Sequence, residues 1–162
     1  MASIVEDVQT SADWISKALT TSGYLADFSP DSLIEVDRFF AEHSKNGKPV
    51  RGGLLSEDLG SRPFSIGAYV GEVIRRNVGG EWHGDDADPQ AEINIALHLV
   101  DGTICWPVQR AMKRFRLGPD EGIAGYGAGA GLQYTRSIWP SPDSEAPTEE
   151  PASQERPWWK IW

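Results

Sequence analysis

A chain of 162 residues is long enough to bury one core of its own, and its 15 basic against 24 acidic side chains leave a net charge of −9. That sign is wrong for wrapping a polyphosphate, so nucleic acid is not expected as a direct ligand. One cysteine, Cys105, cannot close an internal disulfide; no apolar run spans a bilayer and no secretory signal opens the chain, so a soluble, cytoplasmic protein is expected.

The first helical segment is marked by Trp14, Ile15, Ala18 and Leu19 after the candidate cap Ser11, with Gly23 as its stop. The second carries clearer signals: Ser29 as N-cap, Pro30 at the first helical position and Asp31 complementing the helix dipole. Leu33, Val36, Phe39 and Phe40 form its apolar stripe. A Gly/Pro-rich connection covers residues 44–61. The third helix is the most informative stretch, running from about Ile66 to the double glycine Gly79-Gly80, with Tyr69, Val70, Val73 and Ile74 facing a core. Gly67 and Gly71 lie one helical turn apart on one face, where another element can approach closely. Each glycine costs about 1 kcal/mol relative to alanine in a helix, so the pair predicts a packing reason.

After the double glycine the period changes to two. Glu81-Trp82-His83 reads as a short strand. Ile93, Ile95, Leu97 and Leu99 then alternate with Glu92, Asn94, Ala96 and His98, as a half-buried antiparallel strand does. A two-residue turn at Asp101-Gly102 would place Leu99 opposite Ile104, His98 opposite Cys105 and Leu97 opposite Trp106. Pro107 ends that arm. Val108–Leu117 reads as a basic amphipathic helix closed by Gly118, and another runs from Pro119 to about Leu132. Beyond Arg136 the composition turns to Pro, Ser, Glu and Asp, before the abrupt Pro157-Trp-Trp-Lys-Ile-Trp162.

The fold expected is α+β. N-terminal helices and the glycine-marked helix pack on a small three-stranded antiparallel sheet, followed by one or two helices and a disordered acidic tail. Residues 1–136 form a single domain, 137–156 a disordered acidic linker and 157–162 a Trp-rich tip. Ile93, Ile95, Leu97, Leu99, Ile104, Trp106 and Trp82 are the expected buried face.

The run Gly67-x-Tyr-x-Gly-Glu-Val-Ile-Arg-x-x-x-Gly-Gly-x-Trp82, followed by a strand and Asp-Gly-Thr-Ile-x-Trp-Pro, resembles an uncharacterised group of small bacterial α+β proteins. The resemblance covers about residues 25–130 and implies the order helix, double glycine, tryptophan, hairpin. It carries over no catalytic residue. Proteins of this general build near toxin or secretion loci give it a faint push towards an interaction role.

Several residues invite a chemical reading. His98 and Cys105, facing each other in the expected register, would juxtapose a base and a thiol, though no orienting group or oxyanion hole accompanies them. His83-Gly-Asp-Asp-Ala-Asp88 with Glu92 crowds carboxylates that could suit a hard cation, but its spacing fails the helix–loop–helix calcium pattern, and a solvated acidic loop is the simpler reading. Glu72 with Arg75 and Arg76 has the spacing of ordinary surface ion pairs. Gly125-Tyr-Gly-Ala-Gly-Ala130 matches a loose dinucleotide string but lacks the strand that must precede it. Arg110, Lys113, Arg114 and Arg116 form a basic concentration that suits phosphate, an acidic partner, plain solvent exposure or the chain's own acidic tail.

The tip carries more weight. Trp158, Trp159, Ile161 and Trp162 follow an acidic spacer, and tryptophan is enriched at binding hot spots. The layout is similar to the protein-recruiting tails of bacterial single-stranded-DNA-binding proteins. These four are the candidate partner-binding residues, docking on another protein, a basic one by charge, or on their own domain. No catalytic residue, metal ligand or cofactor is expected. The function this points to is a non-enzymatic interaction module, an adaptor or toxin antidote; the alternative is a metal-dependent or Cys/His hydrolase.

Overall fold

The computed structural model describes residues 3–45, 47–50 and 62–136; the linker and the Trp-rich tip lie outside them. Helix α1 (Ile4–Thr21) starts earlier than its apolar spacing implied. Ser3 and Glu6 form a reciprocal capping box, and Ile4, Val8, Ala12, Ile15 and Leu19 make the buried stripe. Trp14, expected in that stripe, is half exposed. Helix α2 (Ser32–His43) begins after the expected cap: the Ser29 carbonyl accepts from both the N–H and the hydroxyl of Ser32. The stripe Leu33, Val36, Phe39 and Phe40 is buried as expected. Two short strands, β1 (Ser44–Lys45) and β2 (Lys48–Pro49), pair antiparallel beyond it.

Helix α3 (Arg62–Val78) is the centre of the molecule. It packs along α1 on one side and along α5 (Pro107–Leu117) on the other, which buries Ile66, Ala68, Tyr69, Val70, Val73 and Ile74 completely. Tyr69 uses its hydroxyl there, accepting from the Phe28 N–H at 3.0 Å and donating to Ser32 Oγ at 2.7 Å. The glycine pair has the packing reason its spacing called for. A Cβ on Gly67 would sit 2.4 Å from Val108 Cα, and one on Gly71 would sit 2.1 Å from Trp82 Cη2. Gly79 and Gly80 then take φ of 99° and 144°, turning the chain out of α3 and into the sheet.

The sheet has the order β3 (Glu81–His83), β4 (Ala96–His98), β5 (Ile104–Cys105), all antiparallel. Ile93 does not extend β4. Asp88 accepts the Gln90 N–H on its side chain and the Ala91 N–H on its carbonyl, starting a short helix α4 (Ala91–Asn94) where alternation implied strand. The hairpin register also differs from the two-residue turn. Leu99 N–H bonds the Thr103 carbonyl at 2.8 Å, so the loop is Val100-Asp101-Gly102, with Gly102 at φ 91° and the Asp101 carboxylate accepting from Thr103 N–H. Three-residue loops of this kind end in a left-handed residue. The extra residue pairs Leu97 with Cys105 and His98 with Ile104. Trp82, Ile95, Leu97 and Leu99 remain inside as expected, but Ile104 and Trp106 turn outward, 42% and 44% exposed.

Pro107 opens α5, where its missing N–H costs nothing. A single 3-10 turn (Pro119–Glu121) leads into α6 (Ile123–Gly129), and Leu132 beyond it is buried. Gly127 on α6 presses against Leu33, Leu132 and Tyr134, so close packing explains that part of the glycine string. Among the described residues no helix is long and apolar enough to cross a membrane.

Candidate functional site

The register separates the residues that looked most like a catalytic pair. Cys105 faces the core opposite Leu97, whereas His98 lies on the outer face, its ring 4.0 Å from that of His83. Burial also pushes the Cys105 thiol up, away from the thiolate a nucleophile needs.

The acidic loop is occupied with turn-making. Asp85 accepts from Ala87 N–H; Asp86 reaches across to the Ile4 N–H at 2.7 Å, at the start of α1; Asp88 accepts from Gln90 N–H and the Asn94 amide. A recess of about 350 Å³ opens beside it, lined by Ile4, Asp7, Asp86, Asp88 and Glu92 among others. Among the described residues no three His, Cys, Asp or Glu side chains come together so as to hold a metal ion.

Glu72 is not a surface residue: its side chain is 1% exposed. Trp82 Nε1 donates to it at 2.8 Å, Arg75 Nε at 2.6 Å and Arg76 Nε at 3.2 Å. Burial alone would push this carboxyl up; the donors on Arg75 and Trp82 and the two guanidinium charges outweigh it and hold the group below its ordinary value near 4.5. A carboxylate held low stabilises the fold above its unfolded value, and that stabilisation disappears as pH falls through the folded one. Glu72→Gln keeps the shape and an acceptor for Trp82, and should cost about 2 kcal/mol at neutral pH, the size of hydrogen bonds to a charged group. Urea unfolding of both forms should show the gap closing as pH drops below 4.5. A gap independent of pH would contradict the assignment.

A second buried pair joins distant elements. Arg114 on α5, 2% exposed, donates from Nε to Asp37 Oδ1 at 3.0 Å and from Nη2 to the Asp37 carbonyl at 3.1 Å. The same carboxylate accepts the N–H groups of Ile123 and Ala124 at 2.8 and 2.9 Å, capping α6. Arg114 therefore leaves the basic concentration to which its sequence neighbours belong. A polar cluster on α2 is likewise internally tied: the Tyr24 hydroxyl donates to Glu42 and lies 3.1 Å from His43 Nε2, with Arg38 4.5 Å above its ring.

A second open site lies where α5 and α6 meet. A pocket of about 100 Å³ is walled by Trp106, Gln109, Arg110, Lys113 and Tyr126. The Tyr126 hydroxyl accepts the Trp106 N–H at 3.0 Å and is in hydrogen-bond contact with the Cys105 thiol, which fixes both aromatic walls to β5. Burial, then the neighbouring thiol, push this phenol far up, so it stays protonated. Arg110 stacks 4.7 Å over the Tyr126 ring and pairs with Glu121, while Lys113 is exposed. Aromatic walls with a cationic rim suit a flat apolar group attached to negative charge. The basic part of this site was visible in the sequence. Trp106 was expected inside and Tyr126 within a glycine string; no local pattern announces that they meet.

The candidate partner-binding residues Trp158, Trp159, Ile161 and Trp162 lie outside the described residues. No family model matches the chain, and neither a curated protein nor a solved structure does.

Proposed function

We propose that the chain is a non-enzymatic protein-interaction module of the bacterial cytosol, an adaptor or toxin antidote, in which Trp158, Trp159, Ile161 and Trp162 dock on a protein surface. The observation that carries this reading is the tip itself: three tryptophans within five residues, placed beyond an acidic spacer. Two features of the folded part support it. The thiol and imidazole that a Cys/His hydrolase would need lie on opposite faces of the sheet. The buried carboxylates Glu72 and Asp37 are each saturated by donors that hold helices and sheet together. The net charge of −9 favours a basic partner and speeds its encounter.

The test is affinity capture from native lysate with the full chain and with a Trp158→Ala/Trp159→Ala/Trp162→Ala variant, followed by binding measurements on the purified captured protein. Loss of hot-spot tryptophans typically costs 2 kcal/mol or more, so affinity should fall at least about 30-fold. Equal affinity of the two forms, both folded by circular dichroism, would remove the tip from the function.

A further inference from the structure

We propose that the pocket walled by Trp106, Arg110, Lys113 and Tyr126 is the resting dock of this chain's own tip, residues 158–162, so that the tip is held in cis until a partner competes for it. The proposal rests on the preceding reading of the tip as a docking element and adds where it docks.

Chemistry, charge and reach each favour this occupant. The pocket offers Trp106, a residue 44% exposed, and a phenol ring already covered by a guanidinium. Such walls accept further indoles by offset stacking and cation–π contact. Around it, α5 presents Lys113 and Arg116, which form no ion pair among the described residues, on a molecule that is otherwise strongly acidic. The segment leading to the tip carries Asp143, Glu145, Glu149, Glu150 and Glu155. The larger recess lined by Asp7, Asp86, Asp88 and Glu92 has the same sign as that segment and repels it.

Reach is sufficient because the last described residues are tied to α6, the helix that supplies Tyr126. The Tyr134 hydroxyl donates to the Ala124 carbonyl at 2.7 Å, and Thr135 is held by Asp31. Ala124 and Tyr126 lie on the same short helix, α6, which is about 10 Å long at 1.5 Å per residue. The 21 residues from 137 to 157 could extend to at most roughly 70 Å, several times the length of α6. A tether of this order gives the tip an effective concentration on the order of 1 mM. Even a weak contact, with Kd near 100 μM, would then be about 90% occupied, whereas a second copy at micromolar concentration would hardly compete.

The test uses the full chain. Ser153→Cys places a nitroxide next to the tip, while Cys105, 5% exposed, stays unlabelled; mass spectrometry checks for a single label. In the ¹⁵N-labelled chain, the amides of Trp106, Gln109, Lys113 and Tyr126 should lose more than about half their intensity, as an occupancy near 90% requires. The amides of Asp88, Gln90, Ala91 and Glu92 should keep theirs. Adding Trp158→Ala/Trp159→Ala/Trp162→Ala, or separately Trp106→Ala/Lys113→Glu on the solvent-exposed rim, should restore the signals. A mixture of spin-labelled ¹⁴N chain and unlabelled ¹⁵N chain should show no loss. Undiminished pocket amides, or loss that persists in the mixture, would overturn the proposal. An undisturbed pocket with partner affinity still dependent on the tryptophans would sink this inference alone. A quenched pocket with unchanged partner affinity would sink the earlier reading alone.

Discussion

Gly67→Ala is expected to lower the free energy of unfolding by about 3 kcal/mol, and Gly71→Ala by a similar amount, although each change removes a poor helix former. The helical gain is at most about 1 kcal/mol. Against it, the new methyl at Gly67 meets backbone, with Val108 Cα at 2.4 Å and Val108 N at 2.9 Å. Backbone cannot rotate away, so the start of α5 must move. At Gly71 the methyl meets the Trp82 ring at 2.1 and 2.4 Å, and that ring is fixed by its bond to Glu72. Gly125 on α6 is the internal control: it has open space around its Cβ direction, so Gly125→Ala should stabilise by up to about 1 kcal/mol. The double change at Gly67 and Gly71 should cost only slightly less than the sum, because a shift of α5 relieves the Pro107 contact at Gly71 but not the closer Trp82 one. Urea unfolding of the four variants decides it. A neutral or stabilising effect at Gly67 would mean that α3 and α5 do not make this contact, and one at Gly71 that the Trp82 ring does not lie against α3.

That contact was legible because helical periodicity is local: two glycines one turn apart clear a strip of an apolar helix face, and a neighbouring element fills it. The buried residues of α3, the stripe of α2 and the double glycine before β3 were readable for the same reason. The start of α1 was readable too, since Ser3-x-x-Glu6 is a capping box and Ile4, Val8, Ala12, Ile15 and Leu19 recur unbroken; taking the stripe through Trp14 instead drew the boundary to Ser11. The hairpin register was not legible. Asp-Gly serves loops of two or three residues, and the difference of one exchanges every side chain between the two faces. It placed Cys105 inside and Ile104 and Trp106 outside, and so it dissolved one candidate site and uncovered another.

Glu72 shows a different limit. Pairs three and four residues apart state that a carboxylate and two arginines share a helix face, not whether that face is covered. The cover is Trp82, ten residues on and in another element. Asp37 and Arg114 mark the far end of this scale, lying 77 residues apart with no local signal at either end. The candidate site inherits the same division. Its cations sit at helical spacing on α5, while Trp106 and Tyr126 meet only through the tertiary fold.

The pair Asp37 and Arg114 therefore carries the second large effect. Asp37→Ala leaves a guanidinium that is 2% exposed without its countercharge, and strips the cap from α6. Breaking one side of a buried pair costs about 3–5 kcal/mol, and this variant should fall near the upper end. Arg114→Met should cost less, about 3 kcal/mol, because Asp37 keeps the Ile123 and Ala124 N–H donors and can take up a proton. Burial already pushes the Asp37 carboxyl up, against the pull of those N–H groups and of Arg114. Without the arginine it rises further, so the variant gains stability relative to the parent as pH falls and loses it as pH rises through the folded value. The double variant should recover about 2 kcal/mol of the summed loss, since no buried charge is then left alone. Additive costs, or single costs below about 1 kcal/mol, would mean that the pair is not the staple between α2, α5 and α6. The consequence extends to the proposed dock. Arg114 lies on the helix that supplies Arg110 and Lys113, and Ala124 on the one that supplies Tyr126. Asp37→Ala should therefore restore the pocket amides of the spin-labelled chain while α1 keeps its native signals, by releasing one wall from the other.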